Sequence, residues 1–165
     1  MSAAAAFDLF SGVGAGPTPF VICELAGPPV GKGRPRFRWV APNPVTRRPG
    51  FVHVYTPKET VVVEQALAWK GKAAMRGRLV LDGPLAVVLY AMMPVPKSWP
   101  NKKRDAALAG LIFHTSTPDG DNIFKLVSDG LNGVIWKDDK QIVRHMVIKE
   151  YAEQPGLIVE VYKLP

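Results

Sequence analysis

The longest apolar run in this chain, LAVVLYAMM at 85–93, is fenced by Pro84 and Pro94. A helix that crosses a bilayer needs roughly 20 apolar residues, so the run is too short to span a membrane. Gly83-Pro84 instead introduces a strand over 85–92. A chain of 165 residues is most economically one domain, with a single core that hides most of its apolar surface.

The same signals predict the other elements. FVICELAG at 20–27 reads as a buried strand ended by Gly27-Pro28-Pro29, and further extended pieces are expected around Phe37–Val40 and Phe51–Tyr55. Thr56-Pro57 looks like a helix start, with Thr56 as N-cap, and helical spacing continues to about Arg76. A second helix starts near Asn101. A third runs from Asp121 or Asn122 to Leu131, where Asn132-Gly133 stops it. QIVRHMVIKEY and GLIVEVYKL read as strands joined through Gln154-Pro155-Gly156 as a hairpin. The order βββ-α-β-α-α-ββ implies an α/β fold: a mixed, partly antiparallel sheet with helices packed against it, in one domain over 20–165. Residues 1–19 are rich in Ala, Gly and Pro, carry no basic n-region and have Asp8 within their apolar run. They read as a flexible arm, not a secretory signal. Cys23 has no disulfide partner and is expected to be a buried, inert thiol, which fits a reducing compartment.

The formal charge of +7 points to an acidic partner, most often nucleic acid, and its distribution sharpens the point. GKGRPRFRWVAPNPVTRR at 31–48 holds Lys32, Arg34, Arg36, Arg38, Arg47 and Arg48 without one acid. On an extended piece Lys32, Arg34, Arg36 and Arg38 share a face, fit for DNA phosphates, while Phe37 and Trp39 take the other. A solvated basic edge strand is the plainer alternative. In contrast, residues 119–139 hold five of the 14 acids: Asp119, Asp121, Asp129, Asp138 and Asp139.

Asp119 and Asp121 stand two apart in HTSTPDGDNIFK, so an extended backbone aims both carboxylates one way. Like charges that close disfavour each other unless a cation or base compensates them. A hard cation such as Mg²⁺ takes oxygen ligands of this kind, and an N-cap at Asp121 would add the positive end of a helix. Asp121, Lys125 and Asp129 fall at i, i+4 and i+8 on one helix face. Asp138-Asp139 follows, and a chain reversal there could return one of them to the same cation. Taken alone, each acidic pair reads more simply as turn and cap chemistry, and it is their combination on a basic chain that points to a cation. Among the histidines, His145 is expected half-buried in a strand and His114 as a support for the acidic loop. Trp69, Trp99 and Trp136 read as packing residues, Trp136 being the one near enough to Asp139 to neighbour DNA. With a single Cys and no closely spaced His pair, a structural zinc site is not expected.

TPDGDNIFKLVSDGLNGVIWKDDKQIV, with GPPVGKGRPRFR and VYTPKET upstream, closely resembles the RusA family of Holliday junction resolvases of bacteria and their phages. The likeness covers roughly residues 20–163. It implies a homodimer, bacterial or phage-encoded, that cuts four-way DNA junctions by paired nicks in the bacterial cytoplasm with Mg²⁺, Mn²⁺ substituting. By position it implies Asp119, Asp121 and Asp139 as metal ligands and Lys125 as catalytic lysine, with Asp138 a rival for Asp139. Two other readings stay open: a non-catalytic DNA-binding module, and a metal-dependent nuclease for other branched DNA.

Overall fold

The computed structural model of the protein describes residues 18–165. The expected arm at 1–19 lies outside them except for Thr18 and Pro19. The elements, in chain order, are β1 (Val21–Ala26), β2 (Arg36–Val40), β3 (Phe51–Tyr55), α1 (Lys58–Met75), β4 (Leu85–Pro94), α2 (Asn101–Leu108), α3 (Gly120–Leu131), a 3₁₀ turn (Asp139–Gln141), β5 (Ile142–Ala152) and β6 (Gly156–Lys163).

β4 is apolar along nearly its whole length because both its faces are covered. It lies inside a four-stranded sheet of order β1-β6-β4-β5. β6 pairs antiparallel with β1 and with β4, whereas β5 runs parallel to β4, so the sheet is mixed. The expected hairpin of the last two strands is overturned, since β4 stands between them. Its long apolar run needs a neighbour on each edge, and the link at 153–155 hops over its end. Crossing two inter-strand spacings takes roughly 10 Å, within the reach of about three extended residues. β2 and β3 do not join this sheet and form a separate antiparallel ribbon.

The core lies on one face of the sheet, where α1 packs over β1 and α3 over β5. The two helices touch each other through reciprocal gaps. Leu67 of α1 fills the space beside Gly130 of α3, and Leu131 of α3 fills the space beside Gly71 of α1. A Cβ on Gly130 would stand 3.1 Å from Leu67 Cβ and 3.2 Å from the Glu64 backbone, so any side chain there pushes the helices apart. α1 starts at Lys58 with Pro57 as N-cap, one residue later than Thr56 implied, and ends at Arg76 in the left-handed region with φ 48°. Cys23 is buried as expected, and burial pushes its thiol up to about 11. Trp136 is fully buried and so cannot touch DNA, while Trp69 is 78% exposed and does not pack. Trp136 thus packs as expected, whereas Trp69 is a correction to the sequence expectation.

Gly130→Ala should lower the urea midpoint. Overpacking of about 1–3 kcal/mol outweighs a helix-propensity gain of about 1 kcal/mol. A raised midpoint would show that the two helices can part without cost.

Candidate functional site

The acidic segment owes its position to β5. Along that strand alternate side chains face the helices, and each holds one part of the segment. The Tyr151 ring lies 5.1 Å from His114, Lys149 Nζ donates to the Ser116 carbonyl at 2.7 Å, Val147 backs Gly120, and His145 stacks on Phe124 at 4.1 Å. His114 thus supports the loop as expected. Burial, then the charge of Lys149, keeps its pKa below the ordinary 6.5, so it serves as a neutral ring. His145 is exposed rather than half-buried, because β5 forms an edge of the sheet. The Thr117–Pro118 peptide just before the acids is cis.

α3 begins one residue after Asp119, which therefore takes the N-cap position that Asp121 was expected to hold. Yet the Asp119 side chain makes no capping hydrogen bond. Asp121 follows in the first turn, and both residues are exposed at the positive end of the helix. Turn-and-cap chemistry, the plainer explanation of these acids, predicts a capping bond that is missing. Lys125, one turn further, is also exposed, and among the described residues it pairs with neither Asp121 nor Asp129.

Asp129 is committed elsewhere, to Lys32. That ammonium bridges Asp129 of α3 and Glu64 of α1, the latter at 3.2 Å. Burial alone would lower the Lys32 pKa, but the hydrogen bonds to Asp129 and Glu64 outweigh it and hold the pKa above the ordinary value. Lys32 therefore departs from the row of phosphate-binding cations expected of it, being a tie between two helices. The neighbouring backbone is equally fixed. Lys32 N–H donates to the Asn122 carbonyl at 2.9 Å, and Gly31 lies so close to Pro118 and Asn122 that a Cβ would meet each at 3.2 Å. Gly33 N–H donates to Thr60 Oγ1 at 3.1 Å. The basic segment is thus clamped to the start of α3, beside the two free acids. Arg34, Arg36 and Arg38 lead away from that clamp, exposed and, among the described residues, unpaired with any carboxylate.

At the second acidic pair the two carboxylates differ. Asp138 caps the 3₁₀ turn, accepting from Lys140 N–H at 3.0 Å, while its own N–H donates to Gln141 Oε1. That backbone bond, with the Lys140 ammonium at 3.4 Å, holds Asp138 below the usual carboxylate range. Asp139 is exposed and does no capping. It is not brought to the first pair. α3 runs antiparallel to β5, with Gly120 beside Val147 and Phe124 beside His145, so Asp139 lies toward the other end of the helix. The five residue steps from Val147 to Ile142 alone measure roughly 16 Å. Among the described residues no three His, Cys, Asp or Glu groups gather closely enough to hold a metal. Asp119 and Asp121 alone still suit a Mg²⁺-like cation, which commonly takes one or two carboxylates and completes its shell with water and phosphate oxygens. Glu64 carried no sequence signal, since its partner Lys32 is far away in the chain.

Replacing Lys32 with Met should lower stability by about 1–3 kcal/mol, read from urea unfolding, because Glu64 and Asp129 lose their shared cation. A lysine whose folded pKa is raised stabilises below its unfolded value and loses that contribution as pH rises through the folded one. The gap between the two proteins should therefore close only as pH climbs past 10.5.

The family and the geometry converge. A family model described as "Endodeoxyribonuclease RusA" matches residues 26–162. The chain is also 36% identical over 135 residues to the uncharacterized protein YqaN of Bacillus subtilis (strain 168), covering 81% of this chain and 89% of that protein. With its clamped basic segment beside two uncommitted aspartates, this chain belongs to the RusA family of endodeoxyribonucleases.

Proposed function

We propose that the protein is a Mg²⁺-dependent endonuclease that resolves four-way DNA junctions by paired nicks, working as a homodimer. The observation that carries this reading is Asp119, which occupies an N-cap position without capping and stands exposed beside Asp121. Asp119 and Asp121 would hold a divalent cation there, which would supply Lewis-acid polarisation of the scissile phosphate. The chain's own groups do the rest. The first-turn N–H groups of α3 face the same space and favour an anion there. Lys125 adds a positive charge that offsets the charge gathering on the phosphate in the transition state. Arg34, Arg36 and Arg38, starting from the clamp at Gly31–Gly33, hold flanking phosphates and set the scissile bond over the acids.

Asp139 is the natural third carboxylate, because Asp138 is engaged as a cap. Its separation from Asp119 and Asp121 within one chain favours a dimer in which a second copy brings it. A two-fold protein also presents two sites to a two-fold substrate.

Asp119→Asn and Asp121→Asn should each abolish Mg²⁺-dependent nicking of a labelled immobile junction and leave its gel-shift affinity within a few-fold. Full cutting by either variant removes the assignment, and binding without cutting by the unaltered protein under every metal condition leaves only a DNA-binding module. The double variant Arg34→Ala/Arg36→Ala should reduce the slope of log affinity against log salt by about 0.9 for each phosphate that is no longer neutralised. An unchanged slope means that these arginines do not touch DNA.

A further inference from the structure

The ribbon β2–β3 stands apart from the core with both faces in water. Its register sets Phe37 opposite Val54 and Trp39 opposite Val52. These four side chains form an apolar face in which Phe37 is 71% and Trp39 62% exposed. The other face pairs Arg36 with Tyr55 and Arg38 with His53. Arg47 and Arg48 lie in the connecting loop, and no acid occurs between Glu24 and Glu59. Trp39 is exposed yet held. Its ring lies so close over Gly50 that a Cβ there would stand 2.5 Å from Cζ2, which fixes the plane of the indole.

We propose that this ribbon is a wedge that enters branched DNA at the branch point, resting on the branched-DNA reading above. Phe37 and Trp39 stack on bases that the branch leaves without a neighbour, and the arginines of the opposite face and the loop hold phosphates of the adjoining arms. Flat aromatic surfaces interleaved with unpaired arginines are the chemistry that binds unstacked bases, and apolar side chains inserted at a base step open it. A second copy of the chain suits this face poorly, because it would bring two sets of arginines together. The root of the ribbon is clamped to the first turn of α3, so a ribbon seated in the branch places the nearby strands at Asp119 and Asp121.

The test uses the full chain in EDTA with an immobile four-way junction carrying 5-iodouracil at the branch or in mid-arm. Ultraviolet crosslinking should favour the branch by about tenfold, with the adduct mapped to Phe37 or Trp39. The Phe37→Leu/Trp39→Leu variant should lose that adduct, and its preference for junction over duplex should fall about tenfold, the order expected for removing the stack under one or two bases. Trp39→Phe, which keeps a stacking face, should retain both, whereas a variant that merely misfolds would lose duplex binding as well. Equal crosslinking at branch and arm with junction binding intact overturns the wedge and leaves the substrate reading standing. No preference for the junction in the unaltered protein overturns the substrate reading and the wedge with it. A change in sedimenting mass in the double Leu variant, with crosslinking unchanged, assigns the face to a second copy and overturns the wedge too.

Discussion

The close contact of α1 and α3 governs where the candidate site residues of α3 fall. Leu67 and Leu131 each occupy the space left by the other helix's glycine, which fixes both the distance and the rotation of α3. That rotation turns Ile123, Leu126 and Val127 inward and leaves Asp121 and Lys125 in solvent. A helix turned by a quarter would bury the acids. It would also break the Lys32 bridge, since Glu64 and Asp129 face the same ammonium only in this setting.

β5 has a comparable share in the arrangement. One face of the strand carries Tyr151, Lys149, Val147 and His145, which together seat the loop before α3 and the helix's first turn. On the opposite face Ile148 packs with Ala86, Val88 and Tyr162 in a second, smaller cluster. The parallel partner β4 pairs with ten residues of this strand. The position of the acidic segment therefore rests on an edge strand tied down by a core strand.

Local signals were legible and distant ones were not. The strand ends at Gly27, the turn at Gly83-Pro84 and the helix stop at Asn132-Gly133 are short-range features, and the structure has each of them. The N-cap was misplaced by two residues because Gly120, a poor helix former, is held helical by its packing on Val147. Lys32 read as a phosphate ligand because it sits among arginines. Its partners are Glu64 and Asp129, the latter 97 positions away and beyond the reach of any local pattern. Helix α1 is apolar around much of its circumference, through Val61, Val62, Val63, Leu67 and Trp69, so its buried side could not be read from spacing, and Trp69 fell on the wet side. The free carboxylates were legible as a pair. That Asp139 stands apart from them required the direction of α3 against β5, a tertiary fact.

The place of β6 in the sheet has a consequence for how the chain is made. The sixth strand to leave the ribosome is an interior one, and it links β1 to β4. Until Gly156–Lys163 has emerged, β1 has no partner and β4 lacks one of its two neighbours. A nascent chain can build its helices and the parallel β4–β5 pair but cannot close the sheet, because a domain folds as a unit once its strands are all clear of the tunnel. The basic ribbon, whose two strands pair only with each other, does not wait for β6 to find its partner.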